Sequence, residues 1–114
     1  LHVPHTPETE GMINGDLINK MKESAIFINT ARGPIVDSKA LAEALNEEKI
    51  AGAGIDVYEM EPPIPEDHPL VNAKNTVLTP HVAFATPEAF VKRAEIVFEN
   101  IKAWDKGEAI NQVI

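Results

Sequence analysis

Three side chains in the sequence, Arg32, Glu61 and His81, have the types needed to handle a small organic acid. A guanidinium is always charged and matches a carboxylate with two parallel hydrogen bonds. An imidazole exchanges a proton near neutral pH, and a nearby carboxylate stabilises its charged form. If the fold brings them together, these groups can bind a 2-oxo or 2-hydroxy acid and move a proton to or from it.

The sequence predicts three strands that would position these residues. Short apolar runs occupy residues 25–28, 53–57 and 76–78. Continuous runs of this length are typical of strands that are buried on both faces of a parallel sheet.

Helical patterns separate the predicted strands. Asn14 can cap a first helix, Asp37 or Ser38 can cap a second, and Gly52 can end that second helix. Strands that alternate with helices are typical of right-handed parallel crossovers. We therefore predict an α/β fold that forms part of a doubly wound, Rossmann-like parallel sheet. Gly52 and Gly54 lack the third glycine of a dinucleotide phosphate fingerprint.

Charged residues are predicted to gather at one edge of this sheet. Arg32, Asp56 and His81 fall at or just beyond the C-terminal ends of the three strands. This is the edge at which open α/β sheets bind their ligands. Each residue alone has an ordinary surface or structural interpretation, but three from separate strands favour a functional site.

The remaining segments are a loop and a long helix. Residues 59–73 contain four prolines and predict an irregular loop, and a loop of this length is usually functional. It contains Glu61 and also His68, which we interpret as an ordinary loop residue. Thr86 predicts the N-cap of a long C-terminal helix that Gly107 ends.

Composition argues against several partner classes. With a formal net charge of −8 the chain offers no basic surface for nucleic acid or for an anionic membrane. The absence of cysteine is compatible with a reducing cytoplasm. His2 and His5 lack a third ligand, so we predict no metal site. Because the first residue is Leu1, we expect the chain to be a piece of a longer protein.

Several segments resemble one known family. INTARGPIVD, GIDVYEMEPP and TPHVAFAT, together with LHVPHTPETEGMI and WDKGEAINQVI, resemble the D-isomer-specific 2-hydroxyacid dehydrogenases over nearly the whole chain. The resemblance implies hydride transfer between a nicotinamide cofactor and a small D-2-hydroxy acid or 2-oxo acid. The implied cofactor is NAD, with NADP as the alternative. The implied substrate is of the lactate, glycerate/hydroxypyruvate or phosphoglycerate type.

The same resemblance implies a role for each site residue. Arg32 grips the substrate carboxylate and polarises its carbonyl, His81 is the general acid/base, and Glu61 pairs with His81 and stabilises its protonated form. Asp56 accepts a hydrogen bond from the nicotinamide carboxamide. The residues implied to line the cofactor are Val3, Pro4, Thr9, Thr30, Ala31, Arg32, Asp56 and His81.

The resemblance also implies a domain organisation. Residues 1–85 correspond to the C-terminal half of the dinucleotide-binding domain, and residues 86–114 to a helix and tail that return to the substrate domain. The parent would be a homodimeric enzyme, of which the isolated fragment is inactive. One alternative stays open: a nucleotide-sensing, corepressor-like interaction module that shares the fold and the catalytic residues.

Overall fold

The computed structural model describes residues 1–60 and 63–113. Two compact units divide the chain, Leu1–Val82 and Ala83–Ile114. The assignment of residues 86–114 to a returning substrate-domain segment stays a prediction. In chain order the elements are α1 (Gly15–Ile18), β1 (Ile26–Asn29), a 3-10 turn (Gly33–Ile35), α2 (Ser38–Asn46), β2 (Gly52–Ile55), β3 (Thr76–Leu78) and α3 (Pro87–Asp105).

The first unit is built on a parallel sheet of three strands in the order β1-β2-β3. The register pairs Asn29 with Ile55 and Ile55 with Leu78, so the three strands end side by side. Helix α2 lies between β1 and β2 in the chain, as a parallel crossover requires. The predicted parallel α/β arrangement is therefore confirmed.

Only one face of this sheet is buried among the described residues. Phe27 and Ile55 join Leu41 and Leu45 of α2 in the main hydrophobic core. On the opposite face the side chains are exposed, 69% at both Ile26 and Val77. The prediction of burial on both faces is thus wrong for this chain, because α2 covers a single face and an apolar run does not reveal how many faces are covered.

Helix starts follow the predicted caps. The side chains of Asn14, Asp37 and Thr86 accept hydrogen bonds from the backbone amides of Leu17, Ala40 and Ala89 at 3.0–3.1 Å. Each bond satisfies an amide that has no partner within its own helix. The three boundaries predicted from short polar side chains are confirmed.

Gly52 does not end helix α2, contrary to the prediction. The helix ends at Asn46, and Gly52 is the first residue of β2. A Cβ atom at this position would lie 2.9 Å from the carbonyl oxygen of Asn75. Glycine is needed because the chain just before β3 comes too close for a side chain.

The second unit is dominated by α3. Gly107 follows its C-cap with φ +75°, the left-handed conformation that commonly ends a helix. Arg93 lies over the ring of Phe84, its guanidinium carbon 4.6 Å from the ring centre. Within residues 1–60 and 63–113, none of the helices combines the length and apolar character needed to cross a membrane.

A glycine test follows from a close backbone approach. A Cβ at Gly33 would lie 1.8 Å from the carbonyl carbon of Tyr58, whereas a Cβ at Gly54 would make only ordinary contacts with Ile28. We expect Gly33→Ala to lower the free energy of unfolding by about 3 kcal/mol, the upper part of the usual range for overpacking, because backbone must move. Gly54→Ala is the matched control. Urea unfolding of both variants measures the difference, and equal stabilities would contradict the close approach.

Candidate functional site

The C-terminal edge of the sheet brings the predicted charged residues to one side. Arg32 follows β1 by three residues, Asp56 follows β2 directly, and His81 follows β3 by three residues. Backbone hydrogen bonds continue past the strands: the amide of Asp56 donates to Asn29 at 3.0 Å, and that of His81 donates to Asp56 at 2.9 Å. The predicted position of these residues at the C-terminal edge of the sheet is confirmed, while ligand binding at this edge and their chemical roles stay predictions.

The turn that presents Arg32 is organised by Asn29. This side chain is 1% exposed, donates to the carbonyl of Arg32 and accepts from the amide of Ala31, both at 3.0 Å. The guanidinium of Arg32 donates to the carbonyl of Ala31 at 2.6 Å. Sequence reasoning missed Asn29. The signal available was a polar residue at a position of the strand that otherwise faces the core.

A cavity of about 630 Å³ opens beside this turn. Five predicted cofactor residues line it together with two histidines that were not predicted: Val3, Pro4, Thr30, Ala31 and Arg32, with His2 and His5. Thr9, which was also predicted to line the cofactor, is not one of the lining residues, but its hydroxyl donates to the carbonyl of the lining residue Pro4 at 2.7 Å. The volume lies within the range of about 300–1,000 Å³ that is usual for small-molecule sites.

His81 sits on a turn that is held by Asp56. Its φ is +59°, a backbone conformation that is uncommon outside glycine and that clusters at functional sites. The buried carboxylate of Asp56 accepts from the hydroxyl of Thr79 at 2.5 Å and from the amide of Val82 at 2.8 Å. Asp56 therefore fixes the residues on both sides of His81. The sequence predicted Asp56 only as a cofactor contact.

The negative charge of Asp56 also affects the pKa of Tyr58. Partial burial of the phenol is the larger cause that raises the Tyr58 pKa, and the negative charge of Asp56 raises it further. The phenol donates weakly to the carbonyl of Ile55 at 3.4 Å. Tyr58 thus reports on the ionisation of the carboxylate that supports His81.

Glu61, the predicted partner of His81, lies outside the described residues. Two residues before it, a carboxylate oxygen of Glu59 lies within hydrogen-bonding distance of Nε2 of His68, at 3.1 Å. His68 was interpreted as an ordinary loop residue, but its side chain is only 6% exposed. Partial burial raises the pKa of Glu59, yet hydrogen bonds from Ser38, from its own backbone and from His68 lower it by more. The carboxylate is therefore charged at neutral pH, and its contribution to stability is lost as the pH falls.

A parallel α/β sheet with a ligand-sized cavity and charged groups at its carboxyl edge defines a nucleotide-binding domain of the Rossmann-like class. A sequence model described as "D-isomer specific 2-hydroxyacid dehydrogenase, NAD binding domain" matches residues 1–83. The chain belongs to this family, and the resemblance noted in its motifs is confirmed.

Individual proteins agree with this assignment. The glyoxylate reductase of Thermofilum pendens is 52% identical over 108 residues, which cover 95% of this chain and 32% of that protein. A D-isomer specific 2-hydroxyacid dehydrogenase from Lactobacillus delbrueckii, solved in its NAD-complexed form, has a TM-score of 0.84 at 36% identity and covers 100% of this chain and 38% of its own. An acyclic imino acid reductase in complex with NADPH and D-Arg has a TM-score of 0.89 at 33% identity, covering 100% and 36%. The chain spans about one fifth to one third of the length of the curated relatives it matches.

The single tyrosine of the sequence offers a test of the Asp56 charge. We expect Asp56→Asn to lower the Tyr58 pKa toward its ordinary value of 10.0 without reaching it, because burial of the phenol remains. Ultraviolet difference titration of tyrosinate measures the shift. Asp67→Asn, which removes a carboxylate from the exposed loop, is the control. An unchanged pKa in Asp56→Asn would mean that Asp56 carries no charge at the site.

Proposed function

We propose that the parent protein is an oxidoreductase that transfers a hydride between a nicotinamide cofactor and a small D-2-hydroxy acid or its 2-oxo acid. The observation that carries the proposal is the common sheet edge at which Arg32, Asp56 and His81 follow three strands that end in register. Family membership of the chain supports the same reaction class.

Arg32 is assigned to the substrate carboxylate. It is an exposed residue at the rim of the cavity, and its turn is fixed by the buried side chain of Asn29. A guanidinium held on a rigid turn can offer two parallel donors to a carboxylate at little entropic cost. The same positive charge would polarise the neighbouring 2-oxo group and favour negative charge on its oxygen.

His81 is assigned to proton transfer. In reduction its protonated imidazole gives a proton to the carbonyl oxygen, and in oxidation its neutral form removes the hydroxyl proton. Asp56 keeps the turn of His81 in place through Thr79 and Val82. Glu61 is proposed to stabilise the protonated form of His81 by its charge.

The cavity beside Arg32 fits part of the cofactor. Its lining residues, 2–5 and 30–32, come from two separate segments of the first unit. When bound, the nicotinamide ring supplies or accepts the hydride. The sequence contains no glycine-rich phosphate fingerprint, so we assign to this chain only the contacts that the cavity residues and Asp56 can make. NAD is the proposed cofactor, and NADP is the alternative.

The whole enzyme is proposed to be a cytoplasmic homodimer that does not bind nucleic acid or membranes. The net charge of −8 supports the last two points, because phosphate-rich surfaces repel such a chain. Light scattering of the full-length parent checks the dimer.

Turnover by the full-length parent tests the proposed function. We expect it to oxidise NADH in the presence of glyoxylate, hydroxypyruvate or pyruvate, with NADPH compared in parallel. His81→Ala should lower kcat by about 10²–10⁴-fold, the usual contribution of general acid/base catalysis, and leave cofactor binding largely in place. Absence of turnover with every 2-oxo acid would refute the reaction class. Near-parental turnover by His81→Ala would refute only the proposed role of His81 in proton transfer.

The geometry of the arginine grip gives a separate prediction. Arg32→Lys should raise KM for the 2-oxo acid nearly as much as Arg32→Ala, because an ammonium cannot form two parallel bonds to a carboxylate. Arg93→Lys is the matched control at the other arginine of the sequence, where lysine still provides a cation over Phe84. Steady-state kinetics give the values. A lysine variant at Arg32 with an unchanged KM would contradict the two-pronged grip.

A further inference from the structure

His68 is a buried polar residue that contacts two consecutive residues of another segment. Its side chain is only 6% exposed, and its Nε2 atom lies 3.1 Å from a carboxylate oxygen of Glu59. Its ring also meets the ring of Tyr58 edge to face, with the ring centres 5.6 Å apart and the planes at 90°. One imidazole therefore contacts the side chains on both sides of the peptide bond between Tyr58 and Glu59.

Two hydrogen bonds fix the orientation of this imidazole. The Nδ1 atom accepts from the amide of Leu70 at 3.3 Å, so in a neutral ring the proton lies on Nε2 and is donated to Glu59. Leu70 is anchored in turn, because its side chain is 1% exposed and belongs to the main hydrophobic core. The charge of the Glu59 carboxylate makes the second bond stronger than one between neutral groups. His68 thus links Glu59 to the core.

The peptide bond between Tyr58 and Glu59 lies against the turn that presents Arg32. Gly33 follows Arg32 directly in the chain. A Cβ atom added to Gly33 would overlap the carbonyl carbon and oxygen of Tyr58 and the amide nitrogen of Glu59. These three atoms belong to the one peptide unit whose flanking side chains contact His68. The backbone next to Arg32 therefore packs on a peptide unit that His68 holds.

The two sides of the arginine turn are supported in different ways. On one side Asn29 donates a hydrogen bond to the carbonyl of Arg32 at 3.0 Å. On the side of Gly33 the support is steric, and a steric contact prevents closer approach but does not prevent separation. Hydrogen bonds act only within a narrow range of distance and angle. The bond from His68 to Glu59 therefore supplies the attachment that the steric contact lacks.

We propose that His68 is a positioning residue for Arg32. It keeps the peptide unit between Tyr58 and Glu59 against Gly33, and so keeps the turn in the geometry that the guanidinium needs. The inference rests on the proposed function, in which Arg32 binds the substrate carboxylate. Two parallel hydrogen bonds to a carboxylate form only when the guanidinium is placed in the plane of its partner. His68 acts through the turn and is not one of the residues that line the cavity.

Two substitutions of His68 in the full-length parent separate its two hydrogen bonds. His68→Asn places an oxygen near the position of Nδ1 for Leu70 and removes the donor to Glu59. His68→Gln places an amide donor near the position of Nε2 and retains the link to Glu59. Comparison of the two variants therefore isolates the contribution of that link.

The expected effect is on binding of the 2-oxo acid. We expect His68→Asn to raise its KM about 10-fold, since a misplacement of about 1 Å can cost on the order of 10²-fold. His68→Gln should recover most of this loss. The dissociation constant of NADH, measured by fluorescence, should change less than KM does, because residues 2–5 of the cavity lining are untouched.

A double-mutant cycle with Arg32→Lys tests whether His68 acts through the guanidinium. Groups that work as a unit give non-additive effects. His68→Asn should change KM less than about 2-fold when residue 32 is already lysine, because an ammonium does not depend on the geometry of two parallel bonds.

Two variants serve as controls with parental KM. Asp67→Asn removes a charge from the exposed neighbour of His68. Ile50→Val removes a methylene group from a core residue that precedes β2, at the opposite end of the sheet from Arg32, and so reports on a loss of stability alone.

Each outcome supports or overturns the proposal. An increase of KM in His68→Asn that His68→Gln reverses, and that disappears in the Arg32→Lys background, would support it. Parental KM in His68→Asn, an equal loss in His68→Gln, or equal increases in both backgrounds would overturn it. Parental KM in Arg32→Lys and Arg32→Ala would instead show that the proposed role of Arg32 is wrong, and the inference would fall with it. If circular dichroism shows that neither His68 variant folds, His68 is an element of stability and the proposal is overturned.

Discussion

Parallel pairing of β1, β2 and β3 in register is the constraint on which the site depends. Asn29, Ile55 and Leu78 are paired neighbours, so the chain leaves all three strands at the same level of the sheet. Arg32, Asp56 and His81 follow within three residues of those positions. A slip of the pairing would move these residues apart along the sheet and would exchange its buried and exposed faces. The packing of Phe27 and Ile55 against α2 opposes such a slip.

Beyond the strand ends, hydrogen bonds to buried polar side chains, and no longer the pairing of strands, hold the backbone in place. Asn29 fixes the turn before Arg32, Asp56 fixes the turn around His81, and His68 fastens the loop at Glu59. Turn backbones carry amides and carbonyls that no ladder satisfies, and these side chains supply the missing partners. Arg32 and His81, the groups proposed to act on the substrate, therefore lie on turns whose backbone is held by hydrogen bonds to buried side chains.

The turns are also linked to one another. Gly33, next to Arg32, packs against the backbone of Tyr58 and Glu59. The pKa of Tyr58 is raised mainly by burial and, to a smaller extent, by the negative charge of Asp56. The arginine turn, the support of His81 and the start of the loop are thus parts of one packed region.

The sequence alone determined the order and type of the elements, the capping residues, the edge at which Arg32, Asp56 and His81 lie, and the family. These properties depend on local periodicity, on short-range turn chemistry and on motifs, all of which can be read from neighbours in the chain. Only the tertiary structure decided which polar residues are buried and what they hold. Asp56 meets Thr79 across 23 positions, and Gly52 is required by the carbonyl of Asn75. Neither contact leaves a local pattern, because burial and hydrogen-bond partners are set by segments that meet only after the strands have paired.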